Sequence, residues 1–371
     1  MPSFHVIALT LPGQPDPAVA IAATRAGGWG VLDLEYIKDK DLAVDSIKQL
    51  CRYAKGECGI KLDGSDTKFC HEVITDVPGG LQVVILTFSA EQKLRKQVAT
   101  LHRRKLKVLL ETTSWQQAKV GQSIGVDGII AKGHEAGGRG GEETTFILLQ
   151  NLLKHSPLAV FAHGGVGLHT VGACYAAGAA GVVLDWQLAL SKESALPEAV
   201  KARLAFVDGS ETICLGNALG DSYRVYTRPG LPVVTRAQQA ERELAEDKSL
   251  QTQDVLARWR ERIRRDVGCD AVDEHLFLMS QDAAFAEPLA KQFVTTGRII
   301  QAIRQAIDSH CQAAQQWRPL DEGSSLAQSH GTRYPIIQGA MTRVSDDAEF
   351  AKLLWKYFKI KKEPTGTAAM K

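Results

Sequence analysis

The feature that most constrains the fold is a series of eight short apolar runs in the first half of the 371-residue chain. Each run is continuous and rich in β-branched residues, as expected of parallel strands buried on both faces, and most are separated by amphipathic stretches. The runs are residues 5–9, 30–34, 59–62, 82–86, 107–110, 127–130, 158–161 and 181–184. This alternation predicts an α/β fold, a (β/α)₈ TIM barrel, with an open doubly wound sheet as the alternative.

The sequence pattern changes after residue 190, which we take as the end of the barrel. Residues 191–234 are predicted to form a connection with a hairpin between 211–216 and 223–227. Helical periodicity then predicts an appended helical subdomain at residues 235–320. Residues 321–371 are predicted to hold a polar linker and the start of a second barrel-like motif.

Composition narrows the class of partner. Lys plus Arg and Asp plus Glu nearly cancel, at 44 against 42, so no field of one sign favours nucleic acid or an anionic membrane. The seven cysteines are widely spaced without a zinc-type pair, which indicates reduced thiols and no metal site. We find neither a signal peptide nor an apolar stretch of spanning length. The predicted setting is the cytoplasm, with a small-molecule substrate.

Charged and titratable side chains are concentrated at the ends of the apolar runs. In a TIM barrel the carboxyl ends of the strands form the functional face, so these residues are candidates for the site. They are Asp33, Glu35, Lys61, Asp63, Glu111, Lys132, His134, Glu135, His163 and Asp185. Structural ion pairs are the simpler explanation for any single member. We predict catalytic roles for Lys61, Lys132, His134, Glu135 and, in the following loop, Arg139.

Two glycine-rich segments follow the sixth and seventh runs. Residues 164–167, Gly-Gly-Val-Gly, offer backbone amides and a helix start to a phosphate, and the loops after strands seven and eight are the usual phosphate site of such barrels. Residues 133–141 are dense in glycine, which lets a loop pass close over a flat ligand, and Arg139 adds a cation. A tight turn and a surface loop, respectively, remain the simpler alternatives.

In their order and spacing, four motifs resemble the nitronate monooxygenase family, formerly the 2-nitropropane dioxygenases, which includes flavin-dependent enoyl reductases of fatty-acid and polyketide synthesis. The motifs are residues 133–138, 142–145, 164–167 and 177–182. The resemblance implies that the barrel binds FMN. It places the cofactor against the two glycine segments and the loop beyond strand eight, at Gly137, Gly138, Gly164, Gly165, Gly167 and Asp185.

A further motif lies near the end of the chain. Residues 334–346, Tyr-Pro-Ile-Ile-Gln-Gly-Ala-Met-Thr-Arg-Val-Ser-Asp, resemble the opening strand of another barrel of the same family. Such a tandem arrangement is similar to the start of some large polyketide or polyunsaturated-lipid synthases. The resemblance therefore implies neighbouring synthase domains as partners.

The chain departs from the family pattern at three places. Arg139 stands where the family usually has a histidine, and a guanidinium stays protonated and cannot act as a base. Asp185 and Trp186 replace the usual Gly-Thr pair, which places a carboxylate near the expected phosphate. The first strand lacks the family's Pro-Ile-Ile-Gln-Gly-x-Met pattern, which occurs only from residue 335.

Three hypotheses for function follow. The first is an FMN-dependent oxidoreductase, in which enoyl reduction of a small-molecule or acyl-carrier-bound substrate stands beside nitronate oxidation because Arg139 is no base. The second is a flavin-free barrel with lyase or decarboxylase chemistry, in which Lys61 or Lys132 forms an imine. The third is a catalytically silent scaffold that supports a neighbouring barrel or docks an acyl carrier.

Overall fold

Eight parallel strands close into a barrel in the computed structural model, which describes residues 4–76 and 79–336. Neighbouring strands follow one another along the chain, except that the two-residue strand β7 lies outside the barrel. The barrel strands are β1 (His5–Leu9), β2 (Trp29–Asp33), β3 (Cys58–Leu62), β4 (Val83–Thr87), β5 (Lys107–Thr112), β6 (Gly128–Lys132), β8 (Ala159–His163) and β9 (Gly181–Leu184). The prediction of an α/β TIM barrel is confirmed.

Helices alternate with the strands and cover the outside of the barrel. They are α1 (Ala18–Arg25), α2 (Lys40–Tyr53), α3 (Thr67–Asp76), α4 (Glu91–Arg103), α5 (Trp115–Ile124), α6 (Thr145–His155), α7 (Thr170–Ala177) and α8 (Glu198–Leu204). Local signals fix several ends: the Asp39 side chain accepts from the Leu42 N–H at the start of α2. Gly125 ends α5 in the left-handed conformation that glycine adopts without strain.

Aliphatic side chains fill the barrel interior. Ile7, Val31, Ile85 and Ile130 belong to one buried cluster inside it. The closing seam between β1 and β9 needs a glycine, because a Cβ on Gly181 would lie 2.2 Å from the His5 carbonyl oxygen. The barrel therefore depends both on the volume of its apolar side chains and on glycine where two strands approach closely, as at Gly181.

A second, three-stranded antiparallel sheet lies outside the barrel. It consists of β10 (Thr212–Leu215), β11 (Tyr223–Tyr226) and β7 (Gly138–Arg139), in the order β10-β11-β7. The predicted hairpin corresponds to β10 and β11, but no sequence pattern predicts that the glycine-rich segment adds a third strand to it. In the observed register Arg139 lies opposite Tyr223, so the sheet fixes the backbone of Arg139.

Further helices follow the second sheet: α9 (Pro232–Glu246), α10 (Thr252–Asp266), α11 (Ala286–Phe293), α12 (Thr296–Trp317) and α13 (Ser325–Ser329). A second apolar cluster joins Trp186 of the barrel mouth with Trp259 of α10 and with Phe277 and Met279, which precede α11. This cluster holds residues 277–285, here called the strap, over one side of the barrel mouth.

The chain divides into two compact units, Met1–Ile307 and Asp308–Lys371. The finer division at residues 190, 234 and 320 stays a prediction. From position 337 onward, the predicted second barrel-like motif lies outside the described residues, so this part of the domain prediction depends on the sequence alone. Within residues 4–76 and 79–336, no helix has the combined length and apolar character needed to cross a membrane.

Candidate active site

A buried ion-pair network lies at the carboxyl end of the barrel. Lys61, the penultimate residue of β3, places its Nζ 2.7 Å from Glu35 Oε2, 3.3 Å from Glu111 Oε2 and 3.4 Å from Asp33 Oδ2. These residues converge because neighbouring parallel strands end at the same face. Lys61 is only 2% exposed, so its ammonium is neutralised by side chains rather than by water.

The network continues across the barrel through Glu111. Its Oε1 accepts a hydrogen bond from Lys132 Nζ at 3.0 Å, and its Oε2 lies 3.8 Å from His163 Nδ1. On the other side of the imidazole, His163 Nε2 lies 3.2 Å from Asp185 Oδ2. The predicted site residues Lys61, Lys132 and Asp185 thus belong to one buried system, in which Glu111 is the central carboxylate.

Burial and pairing set the protonation states of this network. Burial opposes the charge of Lys61, but its three carboxylate partners outweigh it and hold the pKa of Lys61 well above its ordinary value. For Glu111, burial is outweighed by Lys132 and Lys61, which hold its pKa well below the usual range. Burial raises the pKa of Asp33 to about 6. Because a protonated amine has no lone pair, this arrangement disfavours imine chemistry at Lys61.

His163 gives a direct experimental check on the network. Burial opposes its charge, but the hydrogen bond that its ring donates to the Asp185 carboxylate and the nearby negative charge of Glu111 raise the pKa of His163 above its ordinary value of 6.5. We expect NMR of the ring nitrogens to show titration above pH 6.5, with His163→Gln identifying the signal. The charge stabilises the fold at pH values below the unfolded-state pKa, and this contribution is lost as pH rises through the folded-state pKa. A titration below pH 6.5 would contradict the assigned partners.

Two polar cavities open beside the network at the same face. One, of about 340 Å³, is lined by Glu35, Thr87, Glu111 and Arg139 among other residues. The second, of about 380 Å³, shares Glu35, Thr87 and Arg139 and adds Tyr36. Together they are called the polar cavity below. Active sites of TIM barrels lie at this face, so the polar cavity is the space open to a reacting group.

Arg139 is a fixed cation on the wall of the polar cavity. Its Nε donates to Asp221 Oδ1 at 2.7 Å and its Nη1 donates to the Phe88 carbonyl at 3.1 Å. Burial opposes its charge, but Asp221 outweighs burial and raises the pKa of Arg139 above its ordinary range. The sequence identified Arg139 but missed Asp221, which is 82 residues away along the chain.

His134 and Glu135 have local structural partners. His134 Nδ1 lies 2.7 Å from the Gly141 carbonyl oxygen. The Glu135 carboxylate accepts from the Thr145 N–H at the start of α6, with N–O distances of 3.1 and 3.2 Å. Neither side chain lines the polar cavity. Their predicted catalytic roles have no support in this geometry, which explains Glu135 as a helix cap.

The predicted phosphate loop already holds an acidic side chain of the chain itself. Gly164 and Gly165 have φ of +107° and +67°, a left-handed conformation that favours glycine. The Gly165 N–H donates to Asp282 Oδ1 at 2.7 Å. A loop that directs an amide at a carboxylate has the donor chemistry that a phosphate needs, so residues 164–167, here called the cradle, fit an anionic group.

The other predicted cofactor glycines lie against the strap. A Cβ on Gly137 would lie 2.3 Å from the Leu278 carbonyl oxygen, which explains why this position is a glycine. Gly138, in β7, would place a Cβ 3.5 Å from Leu278 Cδ1. The glycine-rich segment therefore packs against the strap, whereas the sequence predicts a loop that passes over a flat ligand.

Asp185 lies between the network and the cradle. Its Oδ2 faces His163, while its Oδ1 accepts from Ser280 Oγ at 3.2 Å. Burial opposes its charge, but His163 outweighs burial and lowers the pKa of Asp185. The carboxylate that the sequence places near the expected phosphate is thus turned toward the imidazole, although its negative charge still raises the pKa of Asp282.

Two buried residues of the cradle region were missed by sequence reasoning. Asp282 is 1% exposed and its Oδ2 accepts from Gln187 Nε2 at 2.8 Å. Gln187 Nε2 also donates to the Val166 carbonyl at 3.0 Å. Asp282 lies 117 residues from Gly165 in the chain, and nothing in its local sequence marks it as a partner of the loop.

Known proteins share this architecture. FabK from Thermotoga maritima superimposes with a TM-score of 0.68 at 21% identity, covering 83% of this chain and 95% of FabK. The enoyl reductase domain of MlnA, from the macrolactin biosynthesis cluster of Bacillus amyloliquefaciens, gives a TM-score of 0.63 at 12% identity, covering 84% of this chain and 95% of that domain. At these identities the likeness supports the fold alone.

A family profile and curated relatives match the sequence itself. The (3aS,4S,5R,7aS)-5-hydroxy-7a-methyl-1-oxo-octahydro-1H-indene-4-carboxyl-CoA dehydrogenase of Rhodococcus jostii (strain RHA1) is 29% identical over 188 residues, 50% of this chain and 52% of the relative. The chain thus spans about half the length of the curated relatives it matches. The profile of the nitronate monooxygenase family matches residues 31–227, just over half of the chain. The family is named for an oxidoreductase. This chain belongs to the nitronate monooxygenase family.

Proposed function

We propose that the chain is an FMN-type oxidoreductase of the nitronate monooxygenase family whose reacting site is the polar cavity. The observation that carries the proposal is the cradle, where the Gly165 amide binds a carboxylate at 2.7 Å as it would bind a phosphate oxygen. Gly164, Gly165 and Gly167 are the residues that would hold the FMN phosphate. When bound, FMN supplies hydride transfer.

The polar cavity favours reduction over oxidation that begins with proton removal. Arg139 stays protonated and cannot act as a base, but a fixed cation stabilises negative charge that develops on a carbonyl oxygen. In the reduction of an α,β-unsaturated thioester, a hydride that the reduced cofactor would supply adds to the β-carbon and negative charge develops on the thioester oxygen. A proton from water then adds to the α-carbon and completes the saturated product. We therefore propose enoyl reduction, with Arg139 binding that oxygen and positioned by Asp221.

The proposed substrate class is an acyl thioester, either free or on an acyl carrier. One sequence relative supports it by name, since it is a carboxyl-CoA dehydrogenase. The second barrel-like motif at residues 334–346 supports neighbouring synthase domains as partners. The cytoplasmic setting stays a prediction.

A catalytically silent scaffold is the second candidate, because one observation favours it. The strap covers Gly137 and its Asp282 occupies the cradle, so the closed structure leaves the phosphate position filled. The imine alternative loses support at Lys61, since that side chain is held protonated by three carboxylates.

The test is flavin binding followed by turnover. The purified chain is titrated with FMN, and the bound flavin is reduced and mixed with a short enoyl thioester or an alkyl nitronate. We expect visible flavin absorbance on the protein and reoxidation by the enoyl thioester. Arg139→Gln should slow reoxidation by roughly a hundredfold, the usual cost of losing one group that stabilises an oxyanion, while Arg139→Lys retains part of the rate. A chain that stays colourless with excess FMN favours the scaffold.

A further inference from the structure

We infer that Asp282 is an internal competitor for the phosphate cradle, and that the strap must swing away before a phosphate-bearing ligand can bind. The inference deepens the proposed function by assigning a regulation to its cofactor site. It also stands on its own for inorganic phosphate, because it concerns only the cradle and the strap.

The first support is the way Asp282 is held. Its Oδ1 accepts from the Gly165 amide at 2.7 Å and its Oδ2 accepts from Gln187 Nε2 at 2.8 Å. Gln187 is fully buried, and its Oε1 accepts from the Asp185 N–H at 2.8 Å, so its orientation is fixed. The carboxyl group of Asp282 therefore fills a site with defined donors.

The second support is that the strap is seated at several separate places. The Leu278 carbonyl accepts from Trp186 Nε1 at 2.8 Å, and the Gln281 N–H donates to the Glu135 carbonyl at 3.0 Å. At the far end, a Cβ on Gly167 would lie 3.5 Å from the Phe285 ring. The strap thus covers the cradle and the Gly137 segment together, and both must be uncovered for a phosphate to enter.

The charges around Asp282 make this competition depend on pH. Burial, Asp185 and Glu135 disfavour its charge, while the Gly165 amide and His163 favour it, and the result raises the pKa of Asp282 to about 8. In water an aspartate has a pKa near 3.9, so opening the strap at neutral pH releases a proton. A step that releases a proton becomes more favourable as pH rises. The closed conformation of the strap is therefore least stable, relative to the open one, above about pH 8.

The experiment compares the full native chain with Asp282→Ala, Asp282→Asn and the matched control Asp273→Ala. Asp273 is a 63% exposed aspartate near Arg203 and away from the cradle. Each protein is titrated calorimetrically with inorganic phosphate and, by flavin fluorescence, with FMN. We expect Asp282→Ala to bind both probes roughly tenfold more tightly than the native chain and Asp273→Ala to match the native chain.

The pH series gives a second readout that does not depend on activity. Between about pH 7 and 8.5 the FMN phosphate is mainly a dianion, and the dissociation constant of the native chain is expected to fall roughly tenfold as Asp282 ionises. In Asp282→Asn, which keeps the side-chain volume but cannot ionise, this dependence should disappear. Far-UV circular dichroism and thermal melting identify a variant that fails to fold.

The outcomes separate this inference from the proposed function. If the folded Asp282 variants bind phosphate and FMN no better than the native chain, the competition is refuted even where FMN binding stands. If phosphate binding tightens but no variant binds FMN, the competition holds and the flavin proposal fails. A pH dependence that persists in Asp282→Asn also refutes Asp282 as its source.

Discussion

Replacing Glu111 with glutamine is expected to lower the free energy of unfolding by about 3–5 kcal/mol, the usual cost of removing one partner from a buried ion pair. Glu111 is 6% exposed and contacts Lys61 at 3.3 Å and Lys132 at 3.0 Å. The substitution keeps the volume but leaves Lys132 without this carboxylate, so the cost is electrostatic. Urea unfolding of the native and variant chains measures it.

The matched control is Glu198→Gln. Glu198 forms an ion pair of 2.9 Å with Lys201, but its side chain is 89% exposed. Exposed pairs contribute at most about 1 kcal/mol, so this variant should unfold close to the native chain. A loss below about 1 kcal/mol in Glu111→Gln would show that the network is hydrated and does not depend on its central carboxylate.

The second large effect is expected at Asp221, which joins Arg139 to α10. Its side chain is 4% exposed and accepts from Arg139 Nε at 2.7 Å and from Arg260 Nε at 2.8 Å. Asp221→Ala leaves two guanidinium groups without their shared partner, and we expect a loss of about 3 kcal/mol in unfolding free energy. Arg139 should also lose its fixed position over the polar cavity.

A double-mutant cycle tests the pairing itself. If Arg139 and Asp221 act together, the combined variant Arg139→Ala/Asp221→Ala should lose at least about 0.5 kcal/mol less than the sum of the single variants. The control combines Arg139→Ala with Asp45→Ala, and these two effects should add. Asp45 is 75% exposed and forms its ion pair with Lys48, three positions further along the same helix. Strict additivity of the two single effects would contradict a shared role.

The barrel could be predicted from the sequence because its information is local. Each strand is a short apolar run, and eight runs alternating with amphipathic stretches leave few topologies. One of these amphipathic stretches, residues 91–103, coincides with α4 (Glu91–Arg103). The convergence of Lys61, Glu111 and Lys132 also followed from the fold, since parallel strands bring their carboxyl ends together.

The closure of the site could not be predicted because it depends on contacts between distant parts of the chain. Asp282 and Gly165 are 117 residues apart, and Asp221 and Arg139 are 82 apart. Such pairs carry no periodicity or spacing signal. The strand formed by Gly138 and Arg139 was missed for a related reason: glycine disfavours strands locally, and pairing with Tyr223 and Arg224 overrides that preference.

Two of the three departures from the family pattern, Arg139 and Asp185, have a structural explanation. Arg139, in place of a histidine, is fixed by Asp221 as a permanent cation. Asp185, in place of a glycine, turns toward His163 and also holds Ser280 of the strap. Both side chains thus contact segments outside the barrel. Where the family has a base, this chain has a fixed cation at the polar cavity, and its cradle is covered by the strap.

The most direct test of the central claim is the ratio of the affinities for FMN and riboflavin, measured by fluorescence titration of the full chain at about pH 8.5, where the strap is weakest. The two ligands differ only in the phosphate. Charge-assisted hydrogen bonds from the cradle amides predict that FMN binds roughly tenfold to a hundredfold more tightly than riboflavin. Equal affinities, or no binding of either ligand, would contradict a phosphate site at residues 164–167.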